Sequence, residues 1–489
     1  MRRRHLLGMA AAATAAAALP LSPARAAETS PKVLVIGVDG FVADRVRDAN
    51  APTLAKLQDT ALDARSLLYT QPMAPTSSGP GWSTILTGVW PDKHKVVDNS
   101  FGGNDLKSYP DWLSTAKAAR PEIQTWAAAD WKPIGDHLFG DGIDATIVLD
   151  GDKDGYVEHD ATIADETEAH LAKDAADATF VYFGQLDIVG HADGSGSQNY
   201  LDEIAVVDGF VSRLLAAVES RPTRAEENWL IMLTTDHGHL DSGGHGGDSL
   251  IERGTFILAT GDGISAAKPV TTRLVDVAAS ALIHLGATPS DTMDGRAVTH
   301  EDSDPFQTVK LQPAVTEDID AEILGWSPEL PQGWSRDNAK LPEGGVTEWA
   351  GWSLVSDAFW SSAQRGQNRE TFVRGRGTFA VADSDEWADT DAASGKTFDS
   401  TLWTPPVAAN AKVTVRLTHL YRQEGEQRGE ILASWDDGEP QVVRTLSTDV
   451  NGPDAIDVDR PSDAREVRIG FRLTGVNNWY WAVDDVRVA

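Results

Sequence analysis

Three short apolar runs in this chain end in a carboxylate, and that punctuation constrains the fold more than any other feature. Lys32-Val33-Leu34-Val35-Ile36-Gly37-Val38 runs into Asp39-Gly40. Thr179 to Leu186 (TFVYFGQL) runs into Asp187, with His191 four residues on. Trp229-Leu230-Ile231-Met232-Leu233 leads through two threonines to Asp236-His237-Gly238, and His245 follows in a glycine-rich loop. Continuous apolar runs of this length read as strands buried on both faces of a parallel sheet. An amphipathic helix separates the second run from the third, with Ile204, Val207, Phe210, Leu214 and Val218 on one face. Further strands are expected at Gln124–Lys132, Ala145–Leu149 and Thr255–Leu258, and further helices at Ala161–Ala176 and Thr272–Leu285. The alternation predicts an α/β domain with a doubly wound sheet in three αβα layers. In such sheets ligands collect beyond the carboxyl ends of the strands, where Asp39, Asp187, His191, Asp236, His237 and His245 fall.

Carboxylate and neutral imidazole are ligands for zinc and similar divalent ions. Six such groups suffice for two metals, which at about 4 Å apart can hold the attacking and leaving oxygens of a displacement at phosphorus. An oxygen nucleophile is then needed. In Met73 to Val96 (MAPTSSGPGWSTILTGVWPDKHKV), Pro80 suits the first position of a helix and Ser78 falls just before it. There a hydroxyl meets the positive end of the helix dipole and free backbone N–H groups. A plain capping serine is the alternative. The acidic run Asp150-Gly151-Asp152-Lys153-Asp154-Gly155 resembles the start of a calcium loop, but the twelfth position is Ala161 instead of Glu. An acidic turn before a helix is the favoured reading, and a structural calcium ion the lesser one.

At 489 residues two or three domains are expected. The absence of cysteine excludes disulfides, thiolate metal sites and a cysteine nucleophile. Residues 1–26 read as an export signal: Arg2-Arg3-Arg4, an Ala-rich apolar stretch, and Ala24-Arg25-Ala26 as a cleavage site. The arginine cluster favours the twin-arginine type over a general secretory signal. No other apolar run is long enough to span a membrane. The net charge of −32 opposes binding to duplex nucleic acid or an anionic membrane, and an anionic substrate would need a local positive centre such as bound metal.

The character changes near residue 300. Residues 301–349, rich in Pro, Gly, Asp and Trp, read as a linker or irregular lead-in after a catalytic region at 31–300. From residue 350 to 489, short alternating segments and the hairpin-type turn Asp436-Asp437-Gly438 predict a β-sandwich. Trp479, Tyr480 and Trp481 are candidates for stacking on sugars, which would make this region a glycan- or surface-binding module. Filling of the sandwich core is the other use for them. The segment Asn477–Val488 resembles the final strand of jelly-roll accessory domains on secreted hydrolases.

Taken together, the strand-end residues and the Ser78-Gly79-Pro80-Gly81-Trp82-Ser83-Thr84-Ile85-Leu86-Thr87-Gly88 segment resemble the alkaline phosphatase superfamily. The likeness is to its type I phosphodiesterase and nucleotide pyrophosphatase branch, over Lys32 to Arg296. The resemblance implies one metal at Asp187, His191 and His245, and a second at Asp39, Asp236 and His237 that also touches the nucleophile. It places the nucleophile at Ser78 rather than Thr76 or Ser77, and implies hydrolysis of phosphate esters through a phosphoserine. Zinc is the expected metal, with manganese as alternative. His239 is expected as a neighbour of the ligands, and His94 follows a Pro-x-x-His pattern of the family. Two departures matter. The branch usually carries threonine at the nucleophile and asparagine after the proline; Ser78 and Gly81 stand here, so Asn99 or Trp131-Lys132 must donate to the phosphate instead. Sulfatases of the superfamily need an arginine where Trp82 stands, and a cysteine nucleophile, which argues against that activity. A binding protein with a vestigial catalytic domain is the alternative from another class.

Overall fold

A computed structural model of the chain describes residues 29–173, 176–266, 271–410 and 412–489. The expected signal at 1–26 lies outside them. The first part is organised on a seven-stranded sheet: β1 Ser30–Val38, β2 Leu62–Leu67, β3 Thr125–Ala129, β4 Ala145–Val148, β5 Ala178–Phe183, β6 Glu227–Thr234 and β7 Gly254–Gly261. Their order across the sheet is β2-β7-β6-β1-β5-β3-β4. Five strands, β6 to β4 in that order, run parallel. β7 runs against β6, and β2 against β7. The sheet is therefore mixed at one edge.

Side chains of β1 alternate between two cores, as a strand's period of two requires. Val33 and Val35 join Trp82, Ile85, Trp112 and Leu282 on one face. Leu34, Ile36 and Val38 join Leu54, Ile163, Ile204 and Val207 on the other. With helices on both faces every position of the central strands is covered, which is why those runs are uniformly apolar. β1 sits between β5 and β6, with Gly37 level with Tyr182 on one side and Thr234 on the other. Their carboxyl ends thus meet at one place on the sheet rim.

Three expected elements shift most, and one of them, the helix expected over Thr272–Leu285, spans Asp276–His284. The strand expected over Gln124–Lys132 ends at Ala129, because Pro133 opens a short helix, Lys132–His137. The helix expected from Ala161 spans Tyr156–Leu171, since Tyr156 packs tightly between Gly151 and Gly184 and starts it early. The acidic run before it forms one helical turn, Gly151–Asp154, with Asp152 accepting from the Tyr156 hydroxyl at 2.8 Å. No cluster of three or more ligand-type side chains forms on that run among the described residues.

The second part is a β-sandwich of two antiparallel sheets around a single aromatic-rich core. One sheet runs Val450–Val458, Val413–Tyr421, Tyr480–Val488, Thr378–Asp383, Ser353–Ser356, Trp326–Ser327. The other runs Gln441–Leu446, Arg428–Trp435, Glu466–Gly475, Phe398–Trp403, Ser335–Asp337, with Val407–Ala408 added beside Glu466–Gly475. The stretch expected as linker thus supplies an edge strand to each sheet. Asp436 and Asp437 have φ of 47° and 57°, the left-handed pair that a tight hairpin turn demands. Tyr480 and Trp481 are fully buried, Trp481 against Trp352, Tyr421 and Phe471, so they fill the core and are closed to sugars. Trp479 is half-buried under the Arg422 guanidinium, 4.6 Å from its ring.

The two parts share a polar interface. Arg376 of the sandwich makes a buried two-pronged ion pair with Asp276, at 2.8 and 2.9 Å. The Tyr69 hydroxyl lies between the carbonyls of Val373 and Gly375. Among the described residues no helix is long and apolar enough to cross a membrane.

Candidate metal centre and nucleophile

Each of the three central strands delivers its carboxylate to the same rim. Asp39 follows β1 directly, and Asp236-His237 follow β6 after Thr235. β5 passes through Gly184 into the helix Gln185–Asp193, on which Asp187 and His191 are one turn apart and share a face. The loop after β6 doubles back to return His245.

The resulting distances form two linked groups. His191 Nε2 lies 3.4 Å from Asp187 Oδ2 and 3.0 Å from His245 Nε2, and His245 Nε2 lies 3.5 Å from Asp187 Oδ1. His237 Nε2 lies 3.6 Å from Asp39 Oδ1 and 3.1 Å from Asp236 Oδ2. All six residues expected as ligands are thus brought together. Asp187 links the two groups, with ligand atoms of Asp39, Asp187 and His237 within 4.8 Å of one another. His239 joins the first group, its Nε2 lying 2.6 Å from Asp187 Oδ1.

The donor set fits divalent metal on its own chemistry. Most of these side chains are anchored by one atom and turn another inward. Asp39 Oδ2 accepts from Trp82 Nε1 at 2.9 Å and the Tyr182 hydroxyl at 2.6 Å, whereas its Oδ1 is buried without a partner. Asp236 Oδ1 accepts from the Gly40 N–H, whereas its Oδ2 is buried and unpartnered. His237 Nδ1 meets the Gly238 carbonyl, and its buried Nε2 has no hydrogen bond. His245 Nδ1 meets the Thr76 carbonyl at 2.7 Å. Orphaned buried polar atoms are costly, and anchored imidazoles with one free nitrogen are the usual form of metal ligands. Burial and the Asp39 charge push the Asp187 carboxyl up to about 7, and burial with the same charge raises Asp236 well above its ordinary value. Burial, helped by neighbouring histidines, lowers the pKa of His237. Burial likewise lowers that of His191. Crowded carboxylates among neutral imidazoles are the electrostatic situation that a cation relieves.

The helix carrying Ser78 meets this centre end-on. It spans Ser78–Thr87, two residues earlier than Pro80 alone implied, because the Gly81 N–H bonds the Ser77 carbonyl and Pro80, with no N–H to give, fits inside the first turn. A Cβ on Gly81 would lie 2.6 Å from that of Asp236, so only glycine lets the helix approach so closely. Trp82, one turn after Ser78, holds Asp39. Of the three neighbouring hydroxyls, Thr76 donates to the Gly247 carbonyl and Ser77 to Asn99 Oδ1. The Ser78 hydroxyl makes no hydrogen bond among the described residues, and the residue keeps 7% exposure.

Asn99 also accepts from the Gly79 N–H at 2.7 Å, which brings its exposed carboxamide beside Ser78. Of the other candidates for that place, Trp131 is buried against Phe101 and Lys132 pairs with Asp136. His94 is buried, bonded to Thr84 and the Val96 N–H, and held down to about 3 by burial, which marks it as a neutral structural residue.

The family model for type I phosphodiesterase / nucleotide pyrophosphatase matches residues 33–358. An uncharacterised pyrophosphatase/phosphodiesterase of Schizosaccharomyces pombe is 26% identical over 227 residues, covering 42% of this chain and 44% of that protein. Ectonucleotide pyrophosphatase/phosphodiesterase family member 7 of Rattus norvegicus is 25% identical over 225 residues, covering 42% of this chain and 49% of its own. The chain spans about half the length of these curated relatives. The solved structure of murine ectonucleotide pyrophosphatase/phosphodiesterase 5 is similar at 22% identity and a TM-score of 0.33, covering 42% of this chain and 57% of that one. With two thirds of its length matched by the family model, including every residue of the candidate metal centre, the chain belongs to the type I phosphodiesterase / nucleotide pyrophosphatase family.

Proposed function

We propose that this chain is an exported two-metal hydrolase of phosphate diesters that works through a covalent phosphoserine at Ser78. The observation that carries the reading is the free Ser78 hydroxyl in the first turn of a helix that packs on Asp236 and holds Asp39. Ser78 Oγ attacks phosphorus in line as the bond to one alcohol breaks, the serine proton leaving with that alcohol; water then cleaves the serine–phosphorus ester and frees the phosphate monoester that still carries the second alcohol. The Asn99 carboxamide and the first-turn N–H groups take up negative charge on the non-bridging oxygens. Asp187, His191 and His245, and Asp39, Asp236 and His237, would hold two divalent ions, whose positive charge would make the serine hydroxyl more acidic and offset negative charge on the attacking and departing oxygens. Zinc suits this imidazole and carboxylate set, with manganese as alternative.

A diester is favoured over a monoester on charge. A monoester phosphate is a dianion, and the basic residues near Ser78 in sequence are engaged elsewhere: Lys93 with Asp294, Lys95 with the Asp92 carbonyl. Family membership supports the same choice. The arginine-led N-terminal segment supports export. The second reading, a binding protein with a vestigial catalytic domain, loses support from the burial of Tyr480 and Trp481.

The test compares hydrolysis of bis-p-nitrophenyl phosphate and p-nitrophenyl phosphate, before and after chelation, with metal then restored. The diester is expected to turn over faster, to stop on chelation and to recover with zinc. Silence toward both substrates with metal restored would leave the binding reading in possession.

A further inference from the structure

We infer that His239 is a positioning residue that holds the Asp187 carboxylate at the orientation required by the metal position it shares with His191 and His245. The inference rests on the metal centre proposed above. Metal–donor bonds of about 2.0–2.1 Å at tetrahedral angles put two donors about 3.3–3.4 Å apart. Asp187, His191 and His245 meet that spacing, at 3.0 to 3.5 Å. His239 does not: its Nε2 stands 2.6 Å from Asp187 Oδ1, the separation of a strong hydrogen bond and too close for two atoms sharing an ion.

The surroundings of His239 are built for that contact. Its ring is fully buried between two backbones that approach it only because they lack side chains. A Cβ on Gly190, or on Gly40, would lie 2.6 Å from His239 Cδ2. Among the described residues no other hydrogen bond reaches the Asp187 carboxylate. Asp39 has Trp82 and Tyr182 for this purpose, Asp236 has the Gly40 N–H, and His245 has the Thr76 carbonyl. His239 fills the same place for Asp187, the residue that links the two groups.

The test is a metal titration against a competing chelator, with His239→Met (similar bulk, no N–H) and His239→Gln (an N–H donor of similar reach). His239→Met is expected to bind two metal ions at saturation but about 10–100-fold more weakly. The visible spectrum of the cobalt-loaded protein should be unchanged, and His239→Gln should recover most of the affinity. Wild-type affinity in His239→Met overturns the inference. So does loss of one metal equivalent at saturation, or an altered cobalt spectrum, either of which makes His239 a direct ligand. If His239→Met does not fold, His239→Gln against the one-carbon-shorter His239→Asn decides: equal affinities overturn the inference. Failure of the wild-type protein to take up metal is a separate result that removes the metal centre itself.

Discussion

The indole N–H of Trp82 donates to Asp39 Oδ2 at 2.9 Å, on a residue where sulfatases of the wider superfamily need an arginine. This bond couples the helix that carries Ser78 to the strand that carries a candidate metal-ligand carboxylate. Trp82→Phe keeps most of the buried ring but breaks the bond, leaving Tyr182 as the only hydroxyl on that oxygen. The expected result is a metal affinity about 10–100-fold weaker, with stability lowered by only about 1 kcal/mol. Chelator competition and urea unfolding measure the two effects. A large stability loss with unchanged metal affinity would show the bond to be merely structural.

Ser78→Ala should reduce turnover on the order of 10⁶-fold, as loss of a nucleophile does, while metal content stays near that of the wild type. Thr76→Ala and Ser77→Ala should keep the same reaction, because those hydroxyls are spent on Gly247 and Asn99. Turnover surviving in Ser78→Ala moves the nucleophile elsewhere.

Asn99→Ala should lower kcat by about 10²–10³-fold, the usual cost of one donor to a developing oxyanion, with little change in metal binding. Lys132→Ala should not share that effect, since its ammonium pairs with Asp136. Steady-state kinetics on a diester substrate separates the two variants.

Burial, with the Asp160 charge, raises the Glu203 carboxyl to about 7 from an ordinary value of 4.5. Between those values the folded chain binds a proton that the unfolded chain has released. Stability from this group is therefore lost as pH rises toward and past 7. Glu203→Gln removes the ionisation, so it should raise Tm more at pH 8 than at pH 5. An equal change at both pH values would contradict the shifted carboxyl.

Arg376→Ala leaves Asp276 buried and without its two-pronged partner. Breaking a buried pair from one side typically costs about 3–5 kcal/mol. Unfolding should show a single transition displaced by that amount, because the sandwich and the catalytic part meet through this pair. Two separated transitions in the wild type would mean that the parts unfold independently.

The sequence made the centre of the fold legible because strands buried on both faces leave an unmistakable apolar run, and each of these runs stops at a ligand-type residue. Asp39, Asp187 and Asp236 could be grouped before any coordinates, and so could the histidines that follow them. The sheet's edge was less visible. β2, with the sequence LDARSL, is short and polar at alternate positions, and its antiparallel neighbour β7 carries no local mark of direction. The strands Trp326–Ser327 and Ser335–Asp337 are two and three residues long, below what periodicity can register. Trp481 was ambiguous for another reason: an aromatic residue on a strand has the same pattern whether it faces a core or a sugar. Asn99 and His239 become interpretable only through tertiary approach, as Gly79 and Asp187 reach them from elsewhere in the chain.

Arg376, which pairs with the buried Asp276 of the first part, has its own backbone N–H held by Asp484 at 2.8 Å, 108 residues further along. Asp484 lies on Tyr480–Val488, in the interior of one sandwich sheet. Nascent multidomain chains commonly finish their first domain while the next is still being made. Here the clasp on the first part is itself secured by a strand the ribosome adds much later. A chain truncated before Asp484 is therefore expected to hold its first part less firmly than the full chain does, which limited proteolysis of the two would measure.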